Sequence, residues 1–117
     1  MSDITRLEPS ARYSRVVIHN GTAYFSGLTA DDRSGDIRSQ TEQVLAKADR
    51  LLGTAGSSRA QLLTAMIWLR EIDDFAGMNA VWETWVDREA TPARATVESK
   101  LAAPDVRVEI QFTAAIS

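Results

Sequence analysis

Thr91-Pro92-Ala93-Arg94-Ala95-Thr96-Val97-Glu98-Ser99-Lys100-Leu101, running on through Pro104-Asp105 to Val106-Arg107-Val108-Glu109-Ile110-Gln111-Phe112, decides the fold class of this chain. Pro92 fixes its own φ and drives Thr91 towards extended geometry, so a turn feeds a strand. From there Arg94, Thr96 and Glu98 alternate with Ala95, Val97 and Ser99. After a short connection, Val106, Val108, Ile110 and Phe112 alternate without a break against Arg107, Glu109, Gln111 and Thr113. A period of two marks strands. The alternation sets a guanidinium at the start of one strand, Arg94, and a carboxylate within the other, Glu109. These two charges are the first functional candidates.

Upstream of this stretch, Asp73 or Asp74 is placed to cap a helix with Phe75, Met78, Val81, Trp82, Trp85 and Val86 on one face. Gln61 to Leu69 is so apolar that a strand buried on both faces is expected. Before it, Ile37, Val44, Leu45, Ala48, Leu51, Leu52 and Ala55 share one helical face opposite Arg38, Glu42, Lys47 and Arg50. Gly56 is positioned as the C-cap of that helix. Tyr13 to His19 and Thr22 to Ser26 flank Asn20-Gly21, the strongest short-range hairpin signal. Gly27 marks a bulge or a close backbone approach. Ile4 to Glu8 is a further short strand ahead of the hairpin. The order ββαβαββ, with that extra first strand, gives an α+β two-layer sandwich: a single domain over 1–117 with two helices on one sheet face. Two helices cannot cover both faces. The other face, carrying Trp68 among Ala and Thr, is left open as a binding surface that a homo-oligomer would cover.

Composition narrows the chemistry. At 117 residues, 44% apolar and 25% charged, the chain suits one soluble globular unit. It has no cysteine, which excludes disulfides, zinc-thiolate sites and thiol nucleophiles. His19 is the single histidine and precedes a turn, so it is expected to be exposed and receives no role. A net charge of −3 argues against a nucleic-acid surface, which needs a concentrated basic patch. No apolar run reaches membrane-spanning length and no signal peptide is evident, so a cytoplasmic protein is expected.

Four pieces of the chain carry a family resemblance: Tyr24-Phe25-Ser26-Gly27, Ile72-Asp73-Asp74-Phe75-Ala76-Gly77-Met78-Asn79, Pro92-Ala93-Arg94 and Val108-Glu109-Ile110. Through them the sequence resembles the RidA/YjgF family of small trimeric imine deaminases over nearly its whole length. The resemblance implies a chorismate-mutase-like fold with a mixed sheet, and a homotrimer with active clefts between neighbouring subunits. It also implies cofactor-free, metal-free hydrolysis of reactive 2-imino or 2-enamino acids to 2-keto acid and ammonia. In that pattern Arg94 clamps the substrate carboxylate, for which a planar guanidinium fork is suited. Glu109 positions and deprotonates water, work that favours a carboxylate whose pKa burial has raised. Tyr13, Ser26, Gly27, Asn79 and Thr96 match cleft positions, Gly27 through its backbone. Thr96 stands where archetypal members carry cysteine, a departure that bears on substrate preference. The rival readings are a non-catalytic keto-acid-binding module using the same cleft and a ribonuclease or translation inhibitor. Binding needs only Arg94, whereas hydrolysis needs Glu109 as well.

Overall fold

In the final strand, β6 (Val108–Ala115), Val108, Ile110, Phe112 and Ala114 are all fully buried, while Gln111 is exposed and Glu109 half-buried. This is the alternation read from the sequence, and the rest of the sheet is built outward from it. The computed structural model describes residues 3–116. Its strands are β1 (Thr5–Pro9), β2 (Ser14–His19), β3 (Thr22–Phe25), β4 (Leu62–Leu69), β5 (Ala93–Glu98) and β6, ordered β1-β2-β3-β6-β4-β5 in one mixed sheet. Only β4 and β5 run parallel. Parallel neighbours need a crossover, and helix α2 (Phe75–Trp85) supplies it. Helix α1 (Ile37–Ala55) lies beside α2 on the same face of the sheet. The fold is therefore the expected α+β sandwich, extra first strand included.

Local chemistry explains the element ends. Asn20 and Gly21 both take positive φ, 51° and 79°, which the tight β2–β3 turn requires. The Asp36 side chain accepts from the Ser39 N–H at 2.9 Å to start α1, and Gly56 closes it in the left-handed conformation. The core fills the space between the helices and one sheet face. At its centre Phe112 lies parallel to Trp82, centroids 6.2 Å apart and planes 7° apart, with Trp85 and the edge of Phe25 against it. Among the described residues, no helix is long and apolar enough to cross a membrane.

Four expectations change. The strand read as Gln61 to Leu69 is not buried on both faces: Ala65, Ile67 and Leu69 are buried, Thr64 is exposed, and Met66 and Trp68 are half-buried. No second layer covers that side of the chain. Asp74 occupies the cap position of α2 but its side chain makes no cap bond; its carboxylate lies 3.4 Å from Arg107 Nη1. Phe75, assigned to the core face, is 43% exposed, because the chain enters α2 from a single 3-10 turn (Ile72–Asp74) at the rim of the sheet. His19 is also less exposed than expected, with Nδ1 3.4 Å from the Asp3 carbonyl.

Sequence periodicity passed over Gln40, a fully buried amide on the core side of α1. Its Nε2 donates to the Asp105 carbonyl at 3.0 Å and the Arg33 carbonyl at 3.2 Å, and its Oε1 accepts from the Arg107 N–H at 2.9 Å. It thereby fastens the start of α1 to the lead-in of β6. Gln40→Leu should destabilise the fold by about 2–4 kcal/mol, since it strands buried backbone groups without partners. Urea denaturation would measure the loss, and a change under 0.5 kcal/mol would contradict this role.

Candidate functional site

Register fixes where the candidate charges point. Ala65 of β4 stands opposite Arg94 of β5 and Phe112 of β6, so all three side chains share the helix-covered face. Trp68 stands opposite Val97 and Glu109, and these share the open face. Arg94 and Glu109 of one chain therefore lie on opposite sides of its sheet. The structure gathers the remaining candidates into two groups around them.

Around Arg94 lie Asn79, Trp82 and Phe75 of α2. Asn79 Oδ1 accepts from Arg94 Nη1 at 2.8 Å, and the guanidinium carbon sits 5.3 Å from the Trp82 ring centroid and 5.9 Å from that of Phe75. Among the described residues no carboxylate forms an ion pair with Arg94. Burial pulls its pKa below the ordinary arginine value, the field of Glu83 opposing this. It stays cationic, since guanidinium does not lose its proton in proteins. Two residues along, the Thr96 hydroxyl is buried and has no hydrogen-bond partner among the described residues. The backbone adds donors here. The Ser99 N–H donates to the Leu69 carbonyl of β4, so by alternation the N–H groups of Arg94, Thr96 and Glu98 point away from β4. Since β5 is the sheet edge, those groups face outward. Beside them an open hollow of about 350 Å³ is lined by Thr64, Ala65, Met66, Ala93, Arg94 and Ala95.

Around Glu109 lie Gly27, Ser26 and the start of β2. Between Tyr24↔Thr113 and Leu28↔Ile110 the β3 side spends one residue more than β6, so the chain bulges through Ser26 and Gly27. A Cβ on Gly27 would overlap the Glu109 carboxylate, which is the close approach the sequence signalled. The Ser26 N–H donates to the Arg15 carbonyl, and its hydroxyl, like that of Thr96, is buried without a partner among the described residues. Tyr13, just before β2, is half exposed, with the Arg15 guanidinium 5.5 Å from its ring centroid. Glu109 has no cationic partner among the described residues, and burial pushes its pKa up. Among the described residues no three imidazole or carboxylate side chains converge as a metal site.

The two groups are complementary in charge: a cation with outward N–H donors and a carboxylate whose pKa burial raises, neither in an ion pair among the described residues. The resemblance assigns Asn79 to the cleft as a ligand contact; in the structure its amide oxygen accepts from Arg94 Nη1. Trp82 was read as core alone, yet its outer face carries Arg94. The signal available was the spacing of Asn79 and Trp82, three apart on one helix, which places both on the side of α2 nearest β5.

Comparison with known proteins agrees with this architecture. The family model for endoribonuclease L-PSP matches residues 3–116. A RutC family protein of Haemophilus influenzae is 45% identical, covering 95% of this chain and 97% of its own length. Among solved structures, a YjgF family member from Neisseria meningitidis is 43% identical with a TM-score of 0.96, covering 98% of this chain and 96% of its own. A Salmonella typhimurium structure, named as a candidate translation initiation inhibitor, is 37% identical with a TM-score of 0.89 and covers 97% of each chain.

The raised pKa of Glu109 has a signed consequence for stability. Below the ordinary carboxylate range both folded and unfolded chains are protonated, and the site costs nothing. As pH rises past the unfolded value, the unfolded chain releases its proton first, so this group lowers stability up to its folded pKa and the loss persists above it. Glu109→Gln should therefore raise the melting temperature at pH 7 and leave it unchanged at pH 3. Thermal scans at the two pH values would show this, and an equal shift at both would refute it.

Proposed function

The chain belongs to the RidA/YjgF family, and from that premise we propose that it is a cofactor-free hydrolase of small 2-imino and 2-enamino acids, working through clefts between the subunits of a homotrimer. The observation that carries the reading is the pair of half-sites on opposite sheet faces. Among the described residues neither charge has an ion-pair partner, and neither can reach the other across a sheet. A cleft that takes Arg94 from one subunit and Glu109 from its neighbour gives each a use, and covers part of the open sheet face.

In that cleft the Arg94 fork and the outward Thr96 N–H hold the substrate carboxylate, which orients the adjacent C=N carbon. Glu109 takes a proton from water as the water oxygen bonds to that carbon, giving a tetrahedral carbinolamine. The imine reacts in its protonated form, so this adduct is neutral; the same carboxyl then gives its proton to nitrogen, the C–N bond breaks as the hydroxyl oxygen forms the C=O of the 2-keto acid, and the hydroxyl proton passes back through Glu109 to leave with ammonia as ammonium. The raised pKa of Glu109 suits both steps. The Ser26 and Thr96 hydroxyls, buried and without a hydrogen-bond partner among the described residues, are placed to bond substrate or the attacking water. Gly27 leaves the carboxylate the volume it occupies.

The names of relatives raise a second reading, ribonuclease or translation inhibitor. A ribonuclease of the familiar kind needs paired acid and base imidazoles and a cationic track. This chain has one histidine and an acidic balance. A keto-acid-binding module without turnover differs only at Glu109, and the experiments below separate it.

Arg94→Ala should lower kcat/KM for 2-iminopropionate, generated by an amino-acid oxidase and followed by semicarbazide trapping, by a factor on the order of tens to thousands. Lysine at that position should rescue poorly, because an ammonium cannot make paired in-plane bonds. Wild-type rates in a folded Arg94→Ala protein would remove the mechanism's anchor, and a wild-type protein that binds keto acid without accelerating hydrolysis would favour the binding module. The shared cleft makes a further demand. Arg94→Ala and Glu109→Gln chains, each inactive alone, should regain roughly a quarter of wild-type activity when co-assembled in equal amounts, since each cleft draws its two groups at random from two chains. No recovery in mixed trimers, verified by mass, would mean that both groups act from one chain.

A further inference from the structure

Among the described residues one motif occurs twice, an arginine over the ring of a tryptophan of α2. In the first copy Arg59 lies 5.0 Å from the Trp85 ring centroid. Its Nη1 donates to the protein at the Trp85 carbonyl, 2.9 Å, while Nε and Nη2 grip the two oxygens of Asp49 at 2.8 Å each. In the second copy Arg94 lies 5.3 Å from the Trp82 ring centroid and its Nη1 donates to the protein at Asn79 Oδ1, 2.8 Å. Here no carboxylate among the described residues pairs with the Nε/Nη2 edge. Arg59 thus displays, completed within the protein, the arrangement that Arg94 offers to a ligand.

Resting on the carboxylate-clamp reading, we propose that Trp82 is a positioning residue for the clamp: its indole face fixes the guanidinium plane so that the Nε/Nη2 edge of Arg94 receives the substrate carboxylate in bidentate fashion. Trp82 can do this because it is itself immobile. It is only 6% exposed, lies parallel to Phe112 of β6, and packs against Trp85 with centroids 5.6 Å apart. A packed indole has one orientation, so the guanidinium resting on it has few. Asn79 fixes the rotation within that plane by holding Nη1, and the ring of Phe75, 5.9 Å from the guanidinium carbon, flanks it on the more exposed side. The proposal makes the core stack of Phe112 and Trp82 the foundation of the binding geometry.

The test titrates pyruvate, which carries the same carboxylate as the imine, into wild-type, Trp82→Phe, Trp82→Met and Arg94→Ala proteins, with iminopropionate hydrolysis measured in parallel. Methionine fills the core space without an aromatic face. Trp82→Met should weaken pyruvate about tenfold and raise KM in step with kcat unchanged, whereas Trp82→Phe should lose less than about threefold. A merely structural role predicts the opposite split, with less active protein and an unaltered Kd and KM. A folded Trp82→Met protein that binds pyruvate as wild type does, while Arg94→Ala does not bind, overturns the proposal and leaves the clamp standing. Arg94→Ala binding as well as wild type overturns both. Should Trp82→Met not fold, the side-chain Nε–H resonance of Arg94 decides: an upfield ring-current shift in wild type that Trp82→Phe reduces supports the stack, and its absence overturns the proposal.

Discussion

A strand shows successive side chains to opposite faces of its sheet, and in this protein that constraint governs everything downstream. On β6 it sends Ile110 and Phe112 into the core and Glu109 to the other side; on β5 it turns Arg94 towards the helices. A slip of one residue in either strand would exchange core for surface and could not be tolerated where Phe112 anchors three other aromatic rings. The separation of the two candidate charges is therefore a by-product of the most strongly enforced feature of the fold.

The core and the candidate site share parts. Phe112 holds Trp82, Trp82 bears Arg94, and Asn79, one helical turn before Trp82, ties down the guanidinium. β6, α2 and β5 are thus joined by one column of contacts that begins in the core and ends at the sheet edge. On the other face the logic is subtraction rather than support: a bulge and a missing Cβ at Gly27 leave space for Glu109, and burial without a counter-charge raises its proton affinity. A guanidinium positioned by packing and a carboxylate positioned by absence are two routes to preorganisation.

The five ion pairs recorded between described residues each have at least one exposed side chain and involve neither Arg94 nor Glu109. Such surface pairs contribute little to stability individually. Arg94 and Glu109, by contrast, are partly desolvated without an ion-pair partner among the described residues, and burial shifts the pKa of each towards its neutral form.

Much of this was legible in the sequence, for reasons that are local. The period-2 run from Val106 to Phe112, the Asn20-Gly21 turn, the Gly56 cap and the helical face of α1 are decided by neighbours in the chain, and each reads correctly without a structure. Gly27 announced a close approach because glycine in a strand context has few other uses. What the sequence could not decide was anything that depends on which elements meet. Gln40 looks like a solvent-facing amide until α1 is laid against the lead-in of β6, and Phe75 looks like core until a 3-10 turn places it at the rim. β4 looks buried on both faces because apolar content does not say whether a second layer exists within the same chain. Motif spacing named Arg94 and Glu109 as partners, but it carries no information about sheet faces. Only the pairing of β5 and β6 on either side of β4 fixes that the two point apart, because strand register is a relation between distant segments and no single segment encodes it.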